Sequence, residues 1–170
     1  MDFNTICESR FSAREFSDKK VSDKQIRKII ELIRFAPTAL NHQPYKIIVA
    51  NSDSAIDKLK KAKATLYNAN TVLIICSDRN NVWSNRYSGE SGILMDIGII
   101  TATALYAATE YGLDSCCACN FDPKALGKEF DLPDSITADA LILLGYKSED
   151  YKPSERHSIR KSAEEFTEWL

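Results

Sequence analysis

The stretch GILMDIGIITATALYAATEYG, residues 92–112, decides the fold because it predicts a long helix that is apolar on nearly every side. Its only charged residues are Asp96 and Glu110, and small residues recur along it. Such a helix has to be covered all round, and its small residues let a second helix approach closely. A chain of 170 residues has difficulty covering it alone, so we expect a homodimer interface with two-fold symmetry. The alternative is a central helix covered by the chain's own sheet.

Helices and strands alternate along the chain, which favours a layered α/β or α+β domain. The pattern predicts helices over 21–36 and 54–67 and a short helix within 122–133, ended by Pro133. It predicts strands over 45–50, 71–77, 114–119 and 138–146. The first of these helices has isoleucines at i, i+3, i+4 and i+7 from Ile26, and Ser22 or Asp23 can cap its start. No repeat or flexible linker interrupts the chain, so we expect one domain over 1–170.

Composition and charge exclude several classes of protein. The formal net charge is −2, which predicts no nucleic-acid partner and no anionic membrane partner. The start, MDFNTICESRFSAREF, lacks the apolar run of a signal peptide. No stretch reaches about 18 uninterrupted apolar residues, so no transmembrane helix is expected. These features predict a soluble cytoplasmic protein.

The segment SRFSAREF near the N-terminus is a candidate phosphate site. Arg10, Ser12 and Arg14 alternate, so in an extended chain they point the same way. Arginine binds phosphate oxygens through two parallel N–H donors, and a hydroxyl adds a third contact. The alternative is a pair of surface arginines that form ion pairs with Glu8 or Glu15.

A second basic segment, RHSIRKS, lies near the C-terminus and contains Arg156, Arg160 and Lys161. A tail that folds back would bring these cations beside the N-terminal arginines over one phosphate. The alternative is a solvated charged tail, the usual outcome for such runs.

The link APTALNHQPYKIIVA, residues 36–50, joins a predicted helix to a predicted strand. It holds more uncharged hydrogen-bonding side chains than a turn requires, among them Thr38, Asn41 and Gln43. Such groups suit a neutral polar ligand, such as the pyrimidine edge and ribityl chain of a flavin. The alternative is a turn whose side chains cap the preceding helix.

Three of the five cysteines are bunched at Cys116, Cys117 and Cys119. Cys116 and Cys119 have C-x-x-C spacing, but residues three apart in a strand face opposite sides, so a disulfide closes poorly. His42 and His157 are the only histidines, and no second cysteine pair provides zinc ligands. We expect buried packing for the cluster and no metal. No catalytic triad, Walker sequence or G-x-G-x-x-G is present.

In order and spacing these parts resemble the FMN-dependent nitroreductase family over essentially the full length. The resemblance rests on SRFSAREF, APTALNHQPYKIIVA, SGILMDIGIITATALYAATEYGLDSCCACNFD, FDLPD, ALILLGY and the basic tail. It implies an α+β fold in which helices flank a central, mainly antiparallel sheet, within an intertwined homodimer. It also implies two FMN molecules at the dimer interface, each touching both chains.

The resemblance assigns roles to ten residues. Arg10, Ser12 and Arg14 match the residues that hold the phosphate, the ribityl chain and the pyrimidine edge. The polar segment is matched by Thr38, Asn41 and Gln43, and the late phosphate contacts by Arg160 and Lys161. The backbone at Cys119 and Asn120 matches the loop that faces flavin N5. Larger members have a glutamate near the position of Cys119, and the family has a glycine at the position of Asn120.

The activity implied is ping-pong electron transfer from NADH or NADPH through flavin N5 to nitroaromatics, quinones or similar small acceptors. No side chain is expected to act as a catalytic acid or base, because the cofactor carries the chemistry. Two alternatives remain at this point. One is a flavin-binding storage or sensor module without fast turnover, and the other is a thiol oxidoreductase that uses Cys116 and Cys119.

Overall fold

The computed structural model describes residues 1–170 and has one antiparallel sheet with the strand order β1-β2-β4-β3. The strands are β1 (Tyr45–Ala50), β2 (Thr71–Asp78), β3 (Asp114–Ala118) and β4 (Ile136–Gly145). The helices are α1 (Phe3–Ser9), α2 (Asp23–Ile33), α3 (Asp53–Lys61), α4 (Ile93–Glu110), α5 (Pro123–Glu129) and α6 (Ala163–Phe166). The predicted α+β class and the antiparallel sheet flanked by helices are therefore confirmed.

The sheet separates two apolar cores of similar size. Alternate residues of β2 and β4 point to opposite faces, and both strands are buried along nearly their whole length. One face packs against α3 and α5, through Leu59 and Leu126. The other packs against α2 and α4, through residues such as Ile29 and Ile100. This arrangement leaves β1 and β3 as edge strands.

The sequence patterns placed most element ends within a few residues of those observed. Ser22 caps α2 through a capping box with Gln25, as its position predicts. The helix predicted over 54–67 is shorter: α3 ends at Lys61, because Lys63 has a φ of 57°, outside the right-handed helical region. The helix α5 ends at Glu129, ahead of Pro133, so the proline does not stop it. The short helix α1 was not predicted.

The expectation that α4 is covered on every side is not met within one chain. Its sheet-facing residues are buried, yet Leu94 and Met95 are 73% and 74% exposed. By length and composition alone, α4 could cross a membrane. The buried part of the helix, 33% of it, packs on the sheet of this domain. The face with Gly98 and Ala102 is open to solvent, so the predicted homodimer interface stays a prediction.

Candidate functional site

A basic pocket of about 200 Å³ brings the two ends of the chain together. Its lining residues are Arg10, Phe11, Ser12, Arg14, Ser154, Arg156, His157 and Arg160. Four of the predicted site residues are therefore neighbours, although up to 150 positions separate them in the sequence. We call this cavity the arginine pocket.

The N-terminal part of the pocket is an extended segment attached to the free edge of β3. Ser12 forms a parallel bridge with Ser115, and the Ala13 N–H donates to the Ser115 carbonyl at 3.0 Å. Ala13 and Phe16 point into the core while Arg10, Ser12 and Arg14 face the pocket. The alternation that predicted one shared side for these three residues is thus observed.

The C-terminal part of the pocket is the tail after β4, which folds back over this segment. The Tyr151 hydroxyl donates to the Ser12 carbonyl at 3.2 Å, and the Tyr151 ring stacks on Phe11 at 6.2 Å between centroids. The His157 ring meets the Phe11 ring edge-on, also at 6.2 Å between centroids. These aromatic contacts bring Arg156 and Arg160 beside the N-terminal arginines.

The arginine pocket has the charge of an anion site. Its lining contains four guanidinium groups and no carboxylate, and none of the four forms an ion pair in the chain. Only the Arg160 side chain donates inside the protein, to the Ile159 carbonyl at 2.8 Å and the Arg156 carbonyl at 3.3 Å. Clustered like charges raise the energy of the empty pocket, and a doubly charged phosphate relieves that repulsion. The alternative pairing with Glu8 or Glu15 does not occur.

The volume of the pocket limits what one chain can enclose. Sites that enclose a whole small molecule usually measure about 300–1,000 Å³. At about 200 Å³ the arginine pocket has room for a phosphate group and the atoms next to it. The rest of a larger ligand has to contact other surfaces.

The end of β3 is the neighbouring surface. The charges of Arg14 and Arg10 act on the Cys116 thiol, although burial outweighs them and raises its pKa. Just beyond the end of β3, Cys119 and Asn120 are exposed, and their backbone N–H groups form no hydrogen bond within the chain. Two free backbone donors therefore lie three and four residues beyond Cys116, the thiol on which the arginine charges act.

The link between α2 and β1 is held in an unusual conformation. Leu40, Asn41 and Gln43 have φ values of 50°, 56° and 51°, in the left-handed region that costs a non-glycine residue roughly 1–3 kcal/mol. Hydrogen bonds hold the link in place, one from the Gln43 N–H to the Thr38 hydroxyl at 3.0 Å. Asp96 in α4 accepts the Ala39 N–H at 3.0 Å. Thr38, Asn41 and Gln43 do not line the arginine pocket of the same chain.

Asp96 is expected to be the main support of this link, because the residue is only 4% exposed and its carboxylate accepts the Ala39 N–H. Replacing it by alanine leaves that donor without a partner and should lower the free energy of unfolding by about 1–3 kcal/mol. Urea unfolding measures the loss. Asp96→Asn, which keeps an oxygen acceptor, should recover part of it. Asp57→Ala on the surface of α3 is the control, and a loss there as large as that of Asp96→Ala would contradict the prediction.

One expectation about the site needs correction, and another stays a prediction. Lys161 is exposed and does not line the arginine pocket, so its predicted contact with phosphate stays a prediction. The cysteine cluster is not uniformly buried packing, since Cys116 is buried, Cys117 is half-buried and Cys119 is exposed. The strand ends at Ala118, so Cys119 lies outside the sheet.

Three residues that line the arginine pocket were not predicted from the sequence, namely Phe11, Ser154 and His157. Phe11 and His157 lie within the two basic segments, between residues that were recognised, so their position was a usable signal. Ser154 follows Pro153 in a segment without a periodic pattern, and nothing local distinguishes it.

The structure is an α+β domain with a candidate anion site in the arginine pocket, and comparison with known proteins identifies its family. The model of the Nitroreductase family matches residues 7–71 and 60–146. The crystal structure of a nitroreductase family protein from Clostridium difficile covers 99% of this chain and 98% of its own at 33% identity, with a TM-score of 0.91. A protein of Archaeoglobus fulgidus, provisionally named NADH dehydrogenase/NAD(P)H nitroreductase, is 28% identical over 149 residues, 84% of this chain and 83% of its own.

This chain belongs to the nitroreductase family. The predicted family and the predicted nitroreductase fold are therefore confirmed. An FMN-dependent nitroreductase from Clostridium difficile shares the fold at 20% identity, with a TM-score of 0.77 over 98% of both chains.

Proposed function

We propose that this chain is an FMN-dependent oxidoreductase that takes electrons from NADH or NADPH and passes them to nitroaromatics, quinones or similar electron-poor small molecules. The observation that carries the proposal is the arginine pocket, four unpaired guanidinium groups built into a nitroreductase fold. The names of the two relatives, one an NAD(P)H nitroreductase and one FMN-dependent, support the same electron donor and cofactor.

The residues present fit FMN in charge and in hydrogen bonding. The phosphate would be held in the arginine pocket by Arg10, Arg14 and Arg160, with the Ser12 hydroxyl as a further donor. The free backbone N–H groups of Cys119 and Asn120 would face the isoalloxazine ring. When bound, FMN accepts a hydride and passes the electrons on. The protein has only to bind the cofactor, orient it towards the substrate and stabilise its negative charge. No carboxylate or catalytic triad is needed.

The active form is a homodimer in this proposal. The arginine pocket is too small for a whole FMN, and the polar link at Thr38, Asn41 and Gln43 lies outside it. Elsewhere on the chain, an apolar groove of about 490 Å³ runs along α1 and α4, and we call it the α4 groove. Seven of its nine lining residues are apolar. The apolar grooves of two chains, buried against each other, would form the interface, and the proposal places the uncharged amides of one chain at the pocket of the other.

The α4 groove offers a direct test of the dimer. Ala102 is exposed and lines the groove, so Ala102→Glu would bury a carboxylate without a partner at the interface. We expect the variant to elute as a monomer in size-exclusion chromatography with light scattering. Ser54→Glu, on the opposite side of the sheet, is the control and should remain dimeric. A wild-type chain that is monomeric at micromolar concentration would contradict the prediction.

The test of the function is an absorbance spectrum of the purified protein, taken before and after anaerobic addition of NADH or NADPH. We expect the bands of oxidised flavin and their bleaching on addition, with return of the bands when a nitroaromatic or a quinone follows. Colourless protein that takes up no added FMN would overturn the proposal. Bound flavin that stopped-flow shows to be reduced only negligibly would instead indicate the storage or sensor module.

The thiol oxidoreductase that uses Cys116 and Cys119 receives no support from the geometry. Cys116 packs in the core with α3 and α5, whereas Cys119 lies exposed beyond the strand. Replacing both by serine should leave NAD(P)H oxidation largely intact.

We also propose a cytoplasmic location for the protein. The support for this location is the composition of the sequence.

A further inference from the structure

Two of the bunched cysteines, Cys117 and Cys119, form a contact pair. Their sulfur atoms are 3.9 Å apart, and the residues lie two apart at the end of β3. Cys117 is half-buried against the core formed with α2 and α4, and Cys119 is exposed. Cys116 packs into the core on the opposite face of the sheet. The C-x-C pair, rather than the C-x-x-C pair, is therefore the one in which the sulfur atoms meet.

The backbone around the pair permits a disulfide. Even in a fully extended strand, residues two apart are separated by about 6.8 Å between Cα atoms, the upper end of the range that disulfides span. The sulfur atoms have to approach by about 2 Å to reach bonding distance. Cys119 lies just beyond Ala118, the last residue paired with β4, and its own N–H has no partner. No hydrogen bond of its own N–H therefore opposes a shift of Cys119 towards Cys117.

We propose that Cys117 and Cys119 form a reversible intrachain disulfide by exchange with low-molecular-weight disulfides such as oxidised glutathione. This is a redox-active site in addition to the proposed flavin chemistry, and it does not depend on a bound flavin. The arrangement differs from a lone surface thiol because the second sulfur is in contact and can complete the reaction within the chain.

The exchange takes place in two steps, each a displacement at sulfur. The Cys119 thiolate attacks the small disulfide, its S–S bond breaks, and one small thiolate leaves while a mixed disulfide forms on Cys119. Cys117 then loses its proton to solvent and attacks the Cys119 sulfur, and the second small thiolate leaves. Two protein thiols are oxidised by two electrons, and one small disulfide is reduced to two thiols.

The surroundings of the two thiols determine this order. Burial, and then the neighbouring Cys119, raise the pKa of Cys117 to about 12, so this thiol is protonated and a poor first nucleophile. Cys119 is the accessible sulfur. Once Cys119 is capped as a mixed disulfide, its contribution to the raised pKa of Cys117 is lost, while the larger contribution of burial remains. The contact between the two sulfur atoms is what favours the second step.

The test uses the full-length protein with Cys7→Ser, because Cys7 is also exposed and would react. The protein, with any cofactor it carries after purification, is incubated with oxidised glutathione and analysed by intact mass. We expect a product two hydrogen atoms lighter, with two fewer thiols available to a maleimide after unfolding, and full reversal by dithiothreitol.

Single variants of the same protein assign the pair. With Cys117→Ser the reaction should stop at one glutathione attached to Cys119, and with Cys119→Ser no modification should form. The matched control, Cys116→Ala, should still lose two hydrogen atoms. The proposal is overturned if the parent protein accumulates the glutathione adduct, if it does not react, or if Cys116→Ala prevents disulfide formation in a variant whose circular dichroism is native.

Discussion

Replacement of Arg14 by alanine is expected to raise the dissociation constant for FMN by about 10- to 100-fold, since a hydrogen bond to a charged group contributes about 1.5–3 kcal/mol. Arg14 lines the arginine pocket and has no ion-pair partner in the chain, so its guanidinium group is available to the phosphate. Its removal also lowers the positive potential that Arg10 and Arg160 share. Quenching of flavin fluorescence in a titration of the apoprotein measures the change.

The control for this prediction is Arg27→Ala. Arg27 is exposed on α2, outside the arginine pocket. Its replacement by alanine removes the same charge from the chain as Arg14→Ala does. Its effect on the dissociation constant should stay within about twofold, as expected of a charge screened by solvent and salt. Binding by the parent protein should weaken as salt is raised. Equal effects of the two substitutions, or none from Arg14→Ala, would mean that the phosphate is bound elsewhere.

Replacement of Phe16 by alanine is expected to lower the free energy of unfolding by about 3–5 kcal/mol, the usual cost of removing a buried phenylalanine ring. Phe16 is 3% exposed and belongs to the core shared with α3 and α5. Its ring fills the space above Gly145, where a Cβ atom would come within 2.8 Å of it. Phe16 therefore anchors the extended segment that carries Arg10 and Arg14. Urea unfolding measures the loss, and weaker FMN binding should accompany it.

Phe35→Ala is the matched control because Phe35 is 75% exposed. A surface substitution of this kind usually changes the free energy of unfolding by less than about 0.5 kcal/mol. A loss for Phe16→Ala no greater than that of the control would show that the ring is not part of the core. Full stability loss with unchanged FMN affinity would show that the arginine segment is held independently of Phe16.

Elements with a strong local pattern were predictable from the sequence. The buried strands β2 and β4 follow from continuous apolar runs, and α2 follows from isoleucines at helical spacing behind a capping serine. The end of α3 was not predictable, because apolar and helix-forming residues continue beyond Lys61 while Lys63 turns the chain with a positive φ. The residues that follow, Leu66 and Ala69, are buried in the core shared with α3 and α5, a long-range contact that a local stretch of sequence does not contain.

The cysteine cluster also has one feature that was predictable from the sequence and one that was not. Alternation in a strand correctly separated Cys116 from Cys119. That Cys117 and Cys119 have sulfur atoms in contact depends on where the strand ends, at Ala118, and on side-chain rotamers. One residue more or less in β3 would change which thiol is accessible.

Local chemistry was sufficient to predict the strands, the long apolar helix and the shared side of Arg10, Ser12 and Arg14, because each depends on a repeat of two or of 3.6 residues within one segment. Only the folded chain shows that Arg160 joins them and that Lys161 does not. That choice is made by Phe11, Tyr151 and the edge of β3, contacts between residues more than 100 positions apart. A charge has a defined partner only once its neighbours across the fold are in place.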